Sequence, residues 1–127
     1  NHLTMQLDLS HILQLYPVLK VLHYQTSSGF HHERYDDAVE ELGGIADSFI
    51  ETYLGLHGRD WMVKPMLVRP VLPDTSTYCI ILYRNVILHD IVPYLYTIAG
   101  NEPALRKLAE DFEQSAQKIY GLLNNYV

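Results

Sequence analysis

Apolar positions along this chain follow a helical beat, interrupted by clusters of turn-forming residues. From Ser10 to about Gln25 the residues Ile12, Leu13, Tyr16, Leu19, Val21 and Leu22 recur at helical spacing, which predicts a first helix with Ser10 as its N-cap. Pro17 costs little there if it lies in the first turn, and predicts a kink or a later start if it lies deeper. Thr26-Ser27-Ser28-Gly29 reads as a turn, after which Tyr35, Val39, Leu42, Ala46, Phe49 and Tyr53 mark one face of a second helix ending near Gly55. Between Leu56 and about Asp74 no helical period is sustained, and Pro65, Pro70 and Pro73 predict a long connection over the surface. A third helix is expected from about Thr75 to Ala99, bent at Pro93 and stopped by Gly100. A fourth, capped by Asn101 with Pro103 in its first turn, runs to about Asn124.

Four helices with two short turns and one long middle connection predict an all-α bundle whose second and third helices run the same way. A strand reading of Tyr78 to Leu88 is disfavoured by the helical pattern on either side. The 127 residues, 48% of them hydrophobic, suffice for one core and are too few for two ordinary domains, so residues 1–127 are read as a single domain. Nine basic and fifteen acidic residues give a formal charge of −6, with no Lys/Arg cluster dense enough to track a phosphate backbone; nucleic acid is not expected as a partner. The single cysteine, Cys79, excludes an internal disulfide and a cysteine-based zinc cage, and fits a reducing compartment. No cationic start leads into an apolar signal core. Pro17, His89, Asp90 and Pro93 interrupt the best apolar runs, so no membrane span is expected and the cytoplasm is the expected location.

The candidate chemistry lies on the second predicted helix. His32, Asp36, Asp47 and Glu51 stand at relative positions 0, 4, 15 and 19, inside an arc of about 100° at the edge of the core face. Imidazole and carboxylate suit Fe(II), and two such groups four residues apart on a helix point at one place. Fifteen residues at ~1.5 Å each separate His32 from Asp47 by roughly 22 Å, so the two pairs cannot hold one ion within one chain. Antiparallel packing of this helix against that of a second copy, across a two-fold axis, would bring the pairs together twice over. Gly43, near the midpoint of the stripe, would let two such backbones approach, and a local kink at Gly43-Gly44 is the plainer reading. His23, near the end of the first helix, would return beside His32 as a third ligand.

The segments His23-Tyr24-Gln25, His32-Glu33-Arg34-Tyr35-Asp36 and Asp47-Ser48-Phe49-Ile50-Glu51 resemble the ferroxidase signature of the Dps mini-ferritins, and phage-encoded ferritin-like proteins look similar over the same stretch. The resemblance covers about residues 15 to 55 and beyond them is one of architecture. It implies a ferritin-like four-helix bundle with a long crossover between the second and third helices. It also implies a non-haem iron site built from His23, His32 and Asp36 of one subunit with Asp47 and Glu51 of a two-fold partner, where Fe(II) is oxidised. Homo-oligomers, and in that family a larger cage, follow from it. The chain departs from the family in its shorter turn between His23 and His32, in Tyr24 where a Trp is usual, and in showing no Lys-rich N-terminal tail, so DNA condensation is not expected. A location in a virion, or in a host cytoplasm, follows if the chain is phage-encoded. The alternative reading is a non-catalytic structural or assembly protein that keeps the bundle without the chemistry.

Other polar residues carry weaker signals. His31 is expected as an exposed neighbour of the site, and His11, His57 and His89 have no ligand spacing. Tyr24 and Tyr35 lie close enough to the stripe to pass electrons, with packing the commoner role. Trp61, Met62 and Met66 fit a cover for the bundle end or a partner surface. Cys79 is expected to be buried.

Overall fold

A computed structural model describes residues 6–66, 68 and 75–126 and is almost entirely helical. Its elements are β1 (Leu7–Asp8), α1 (Leu9–Leu13), α2 (Leu15–Gln25), α3 (Gly29–His57), β2 (Trp61–Met62), α4 (Thr75–Tyr83), a π-helical segment (Arg84–Ile91), α5 (Val92–Ala99) and α6 (Pro103–Asn125). They form four rods: α1 with α2, α3 alone, α4 through α5, and α6.

The first rod is broken where the sequence placed one helix. Pro17 has no N–H for the carbonyl of Leu13, and its ring crowds that carbonyl, so α1 stops at Leu13 and α2 restarts with Pro17 as its third residue. The cap also differs from expectation. Asp8 accepts from the Ser10 backbone N–H, while the Ser10 hydroxyl lies buried inside α1 and bonds the main chain at Lys64. In α3, Ser28 caps the start by accepting from the His31 N–H. The end comes at Gly58, whose φ of 70° suits glycine, three residues beyond the expected Gly55. Tyr35, Leu42, Phe49 and Tyr53 form its buried face as predicted.

The third rod is continuous from Thr75 to Ala99, and the irregularity expected at Pro93 is preceded by eight residues of π-helix, Arg84–Ile91. Its apolar pattern supplies a cause. Cys79, Tyr83, Ile87, Ile91, Leu95 and Ala99 are all buried, each four residues after the last. At 100° per residue a four-residue step overshoots one α-helical turn by about 40°, so this row would wind about 200° around a regular helix and carry Ala99 to the far side. Wider turns of roughly 4.4 residues undershoot by about 30° per step and return the row to the core. Pro93, just after these turns, leaves no α-helical bond to break, and the Val92 N–H reaches back to Ile87. Gly100, with φ of 54°, ends the rod. Glu102 rather than Asn101 occupies the cap position of α6, and its carboxylate bonds His57 instead of the helix end.

Contacts between rods fix their order. On α2, Tyr16 meets Gly43 of α3 and His23 meets His32. Against α6, α3 sets Phe30 on Tyr126, Glu41 on Ser115 and His57 on Glu102. The third rod meets α6 through Tyr83 with Ala116 and Tyr96 with Glu113, and the first rod through Ser27 with Ser76 and His11 with Asp90. Leu105, Ala109, Phe112, Ala116, Ile119 and Leu123 of α6 close the core. A short parallel pairing of β1 with β2, Leu7 opposite Trp61, was also unforeseen and ties Leu7–Asp8 to the middle connection. Residues 67 and 69–74 of that expected connection, with Pro70 and Pro73, lie outside the described residues. Among the described residues no helix is long and apolar enough to cross a membrane.

Candidate metal centre

His23 stands in the last turn of α2 and His32 in the first turn of α3, joined by the turn at residues 26–28. That turn folds tightly because the Thr26 N–H closes onto Leu22 while Ser28 caps the next helix. The two imidazoles stack, with centroids 3.6 Å apart and planes 23° from parallel. Their hydrogen bonds are reciprocal: Nδ1 of His23 donates to the carbonyl of His32, and Nδ1 of His32 donates to the carbonyl of His23, each at 2.6 Å. A carbonyl can only accept, so the proton in each uncharged ring sits on Nδ1 and the lone pair on Nε2. A backbone carbonyl held by the far nitrogen is the support that metal-binding histidines use to fix tautomer and ring orientation.

Asp36 lies one turn further along α3, exposed, with Lys20 of α2 at 3.5 Å. An exposed pair of this length adds little stability and leaves the carboxylate available. Tyr24, 73% exposed, rests edge-on against His23 with Lys20 over its ring. Asp47 and Glu51, also exposed, have no side-chain hydrogen bond or ion pair among the described residues. Asp47 lies near Tyr16, whose phenol is pushed up first by burial and then by this carboxylate. The stripe therefore borders α2 from His32 to Asp47. Among the described residues no three His, Cys, Asp or Glu side chains converge on one point, so the expected set of His23, His32 and Asp36 is not gathered into a three-ligand group within the chain.

Two neighbours depart from expectation. Gly43 is buried, and a Cβ there would meet the Tyr16 ring at 2.9 Å; its missing side chain makes room for α2 of the same chain, not for a partner's helix. His31, expected in solvent, is fully buried, and among the described residues neither its ring nitrogens nor the hydroxyl of neighbouring Tyr35 have a hydrogen-bond partner. The stagger of 100° between consecutive helical residues explains the exchange: His32 takes the edge of the face and His31 falls inward. Burial, and then the Cys79 thiol, push the Tyr35 phenol well above its ordinary range, and burial raises Cys79 to about 11.

The sequence reading also missed two His-carboxylate pairs: His11 with Asp90 at 2.7 Å, stacked on Tyr94, and His57 with Glu102. Both join residues far apart in sequence, and no local spacing announces them. No protein-family model, curated protein or solved structure matches this chain.

Proposed function

We propose that this chain is a Dps-like mini-ferritin that binds and oxidises Fe(II) at a site shared by two copies, in the service of iron sequestration or protection from peroxide. His23, His32 and Asp36 of one copy would hold the iron together with Asp47 and Glu51 of a two-fold partner, Glu51 being suited to bridge. The observation that carries this reading is the reciprocal bonding of His23 and His32, which leaves each uncharged ring its Nε2 lone pair, with exposed Asp36 one helical turn along α3 from His32. Imidazole with carboxylate is a donor set that suits iron. The packing supports the ferritin-like part of the proposal. Phe30 with Tyr126 and His57 with Glu102 make α3 and α6 antiparallel, and a third rod that also opposes α6 would run with α3, as the ferritin-like reading requires.

The reaction balances with peroxide as oxidant: two Fe(II) ions give one electron each, and one peroxide takes both with two protons to form water. Anaerobic Fe(II) titration followed by peroxide tests the proposal. Saturable binding and oxidation faster than in buffer are expected, and Asp47→Ala and His32→Ala should each abolish both. A chain that neither binds iron saturably nor speeds its oxidation would instead be a structural or assembly protein built on the same bundle.

A further inference from the structure

We propose that the core between α3 and α4 holds an internal water molecule, which bridges the hydroxyl of Tyr35 to a ring nitrogen of His31. The site is separate from the His23–His32 pair and does not rest on the iron reading.

Helix phase creates it. His31 and Tyr35 stand one turn apart on α3, and both side chains are fully buried. A side chain on a helix leans back over the preceding turn, so the Tyr35 ring is carried toward His31. The ring centroids are 6.3 Å apart at 76°, close without a direct bond: both His31 nitrogens and the Tyr35 hydroxyl lack a hydrogen-bond partner among the described residues. Their neighbours do not supply one. The Tyr83 hydroxyl is already committed to the Ala116 carbonyl, and the buried Cys79 thiol that acts on the Tyr35 phenol is a weak hydrogen-bonding group. The histidine is also held in place. Its backbone N–H is bound by Ser28, and Phe30, edge-on to its ring, is covered by Tyr126 and Arg34.

The chemistry of the two groups selects the guest. An uncharged imidazole has one donor and one acceptor, and a phenol can do either, so the occupant must both donate and accept. Water does both. An ion does not fit, because the buried polar residues are Ser10, His23 and His31 and none of them is a carboxylate, lysine or arginine to balance its charge. Buried waters typically keep about two to four hydrogen bonds, and this pair supplies the lower figure. Leaving these polar atoms dry would cost their hydration with nothing in return.

Nuclear magnetic resonance of the full chain tests the proposal through cross-relaxation between the water line and the ring protons of His31 and Tyr35. Wild-type protein should show these peaks, with the sign of a molecule that tumbles with the protein. Tyr35→Phe should lose them, since a water left with one protein bond is no longer held, and the freedom it regains offsets the bond removed, so the variant still folds. The double variant His31→Phe/Tyr35→Phe should be equally dry. Absence of the peaks in wild type overturns the proposal, as does a scalar coupling across a direct bond from the Tyr35 hydroxyl to a His31 nitrogen. Peaks that survive unchanged in Tyr35→Phe overturn the bridge.

Discussion

Adjacent glycines in α3 should respond to the same substitution with opposite signs. Gly43→Ala places a Cβ 2.9 Å from Cε1 and 3.0 Å from the hydroxyl oxygen of Tyr16, whereas Gly44→Ala meets nothing within 4 Å. Both changes gain the roughly 1 kcal/mol by which alanine exceeds glycine in a helix. That term cancels when the two variants are compared. What remains is the cost of moving Tyr16, a half-buried ring whose hydroxyl donates to the Gly43 carbonyl at 3.2 Å. Overpacking of this kind costs about 1–3 kcal/mol, and the hydrogen bond adds about 1 if it is lost. The difference should be about 2–3 kcal/mol in favour of Gly44→Ala, with wild type between the two. Urea denaturation of all three proteins measures it directly, and Tyr16→Ala in the Gly43→Ala background should relieve the clash. Equal stabilities for the two alanine variants would refute the packing of α2 onto α3 argued here.

The tyrosines Tyr35 and Tyr83, 6.2 Å apart in the core, should also diverge. Tyr35→Phe removes a buried, unpartnered hydroxyl and should leave stability unchanged or higher; Tyr83→Phe strips the donor from the buried Ala116 carbonyl and should cost about 1–3 kcal/mol by urea denaturation. The fold should be base-labile. Burial raises the Cys79 thiol from 9.0 to about 11, so the folded chain keeps a proton that the unfolded chain releases. This contribution is whole below pH 9 and fades as the pH climbs to 11, by up to roughly 3 kcal/mol, and Cys79→Ala should flatten the decline in denaturation series from pH 8 to 11.

Helix existence and the face of α3 were legible because long periodic runs leave few alternatives: Tyr35, Leu42, Phe49 and Tyr53 point inward as the period requires. Positions where two local rules compete were harder. Ser10 is a good cap by type, yet Asp8 wins the role because the Ser10 hydroxyl is claimed by Lys64, a contact across 54 residues. The π-helical segment was visible as a row of apolar residues four apart, a spacing easily mistaken for ordinary helix. Of the site, the pairing of His23 with His32 followed from a short turn between two helices. The mutual bonding of their rings to carbonyls did not, because it depends on main-chain positions that no pattern encodes. Gly43 misled for a related reason: a small residue announces a close approach without saying by whom.

The bond from His32 to the carbonyl of His23 carries one more consequence. That carbonyl belongs to the last turn of α2, where four main-chain oxygens lack helical partners, so the ring mends a frayed end as well as offering an electron pair. Deleting the ring therefore confounds two losses. Asparagine separates them, since its amide N–H can stand where Nδ1 does and still close the helix terminus while offering no nitrogen lone pair at the position of Nε2. A His32→Asn protein that melts like wild type and has gone blind to iron would divide the residue's architectural duty from its chemical one.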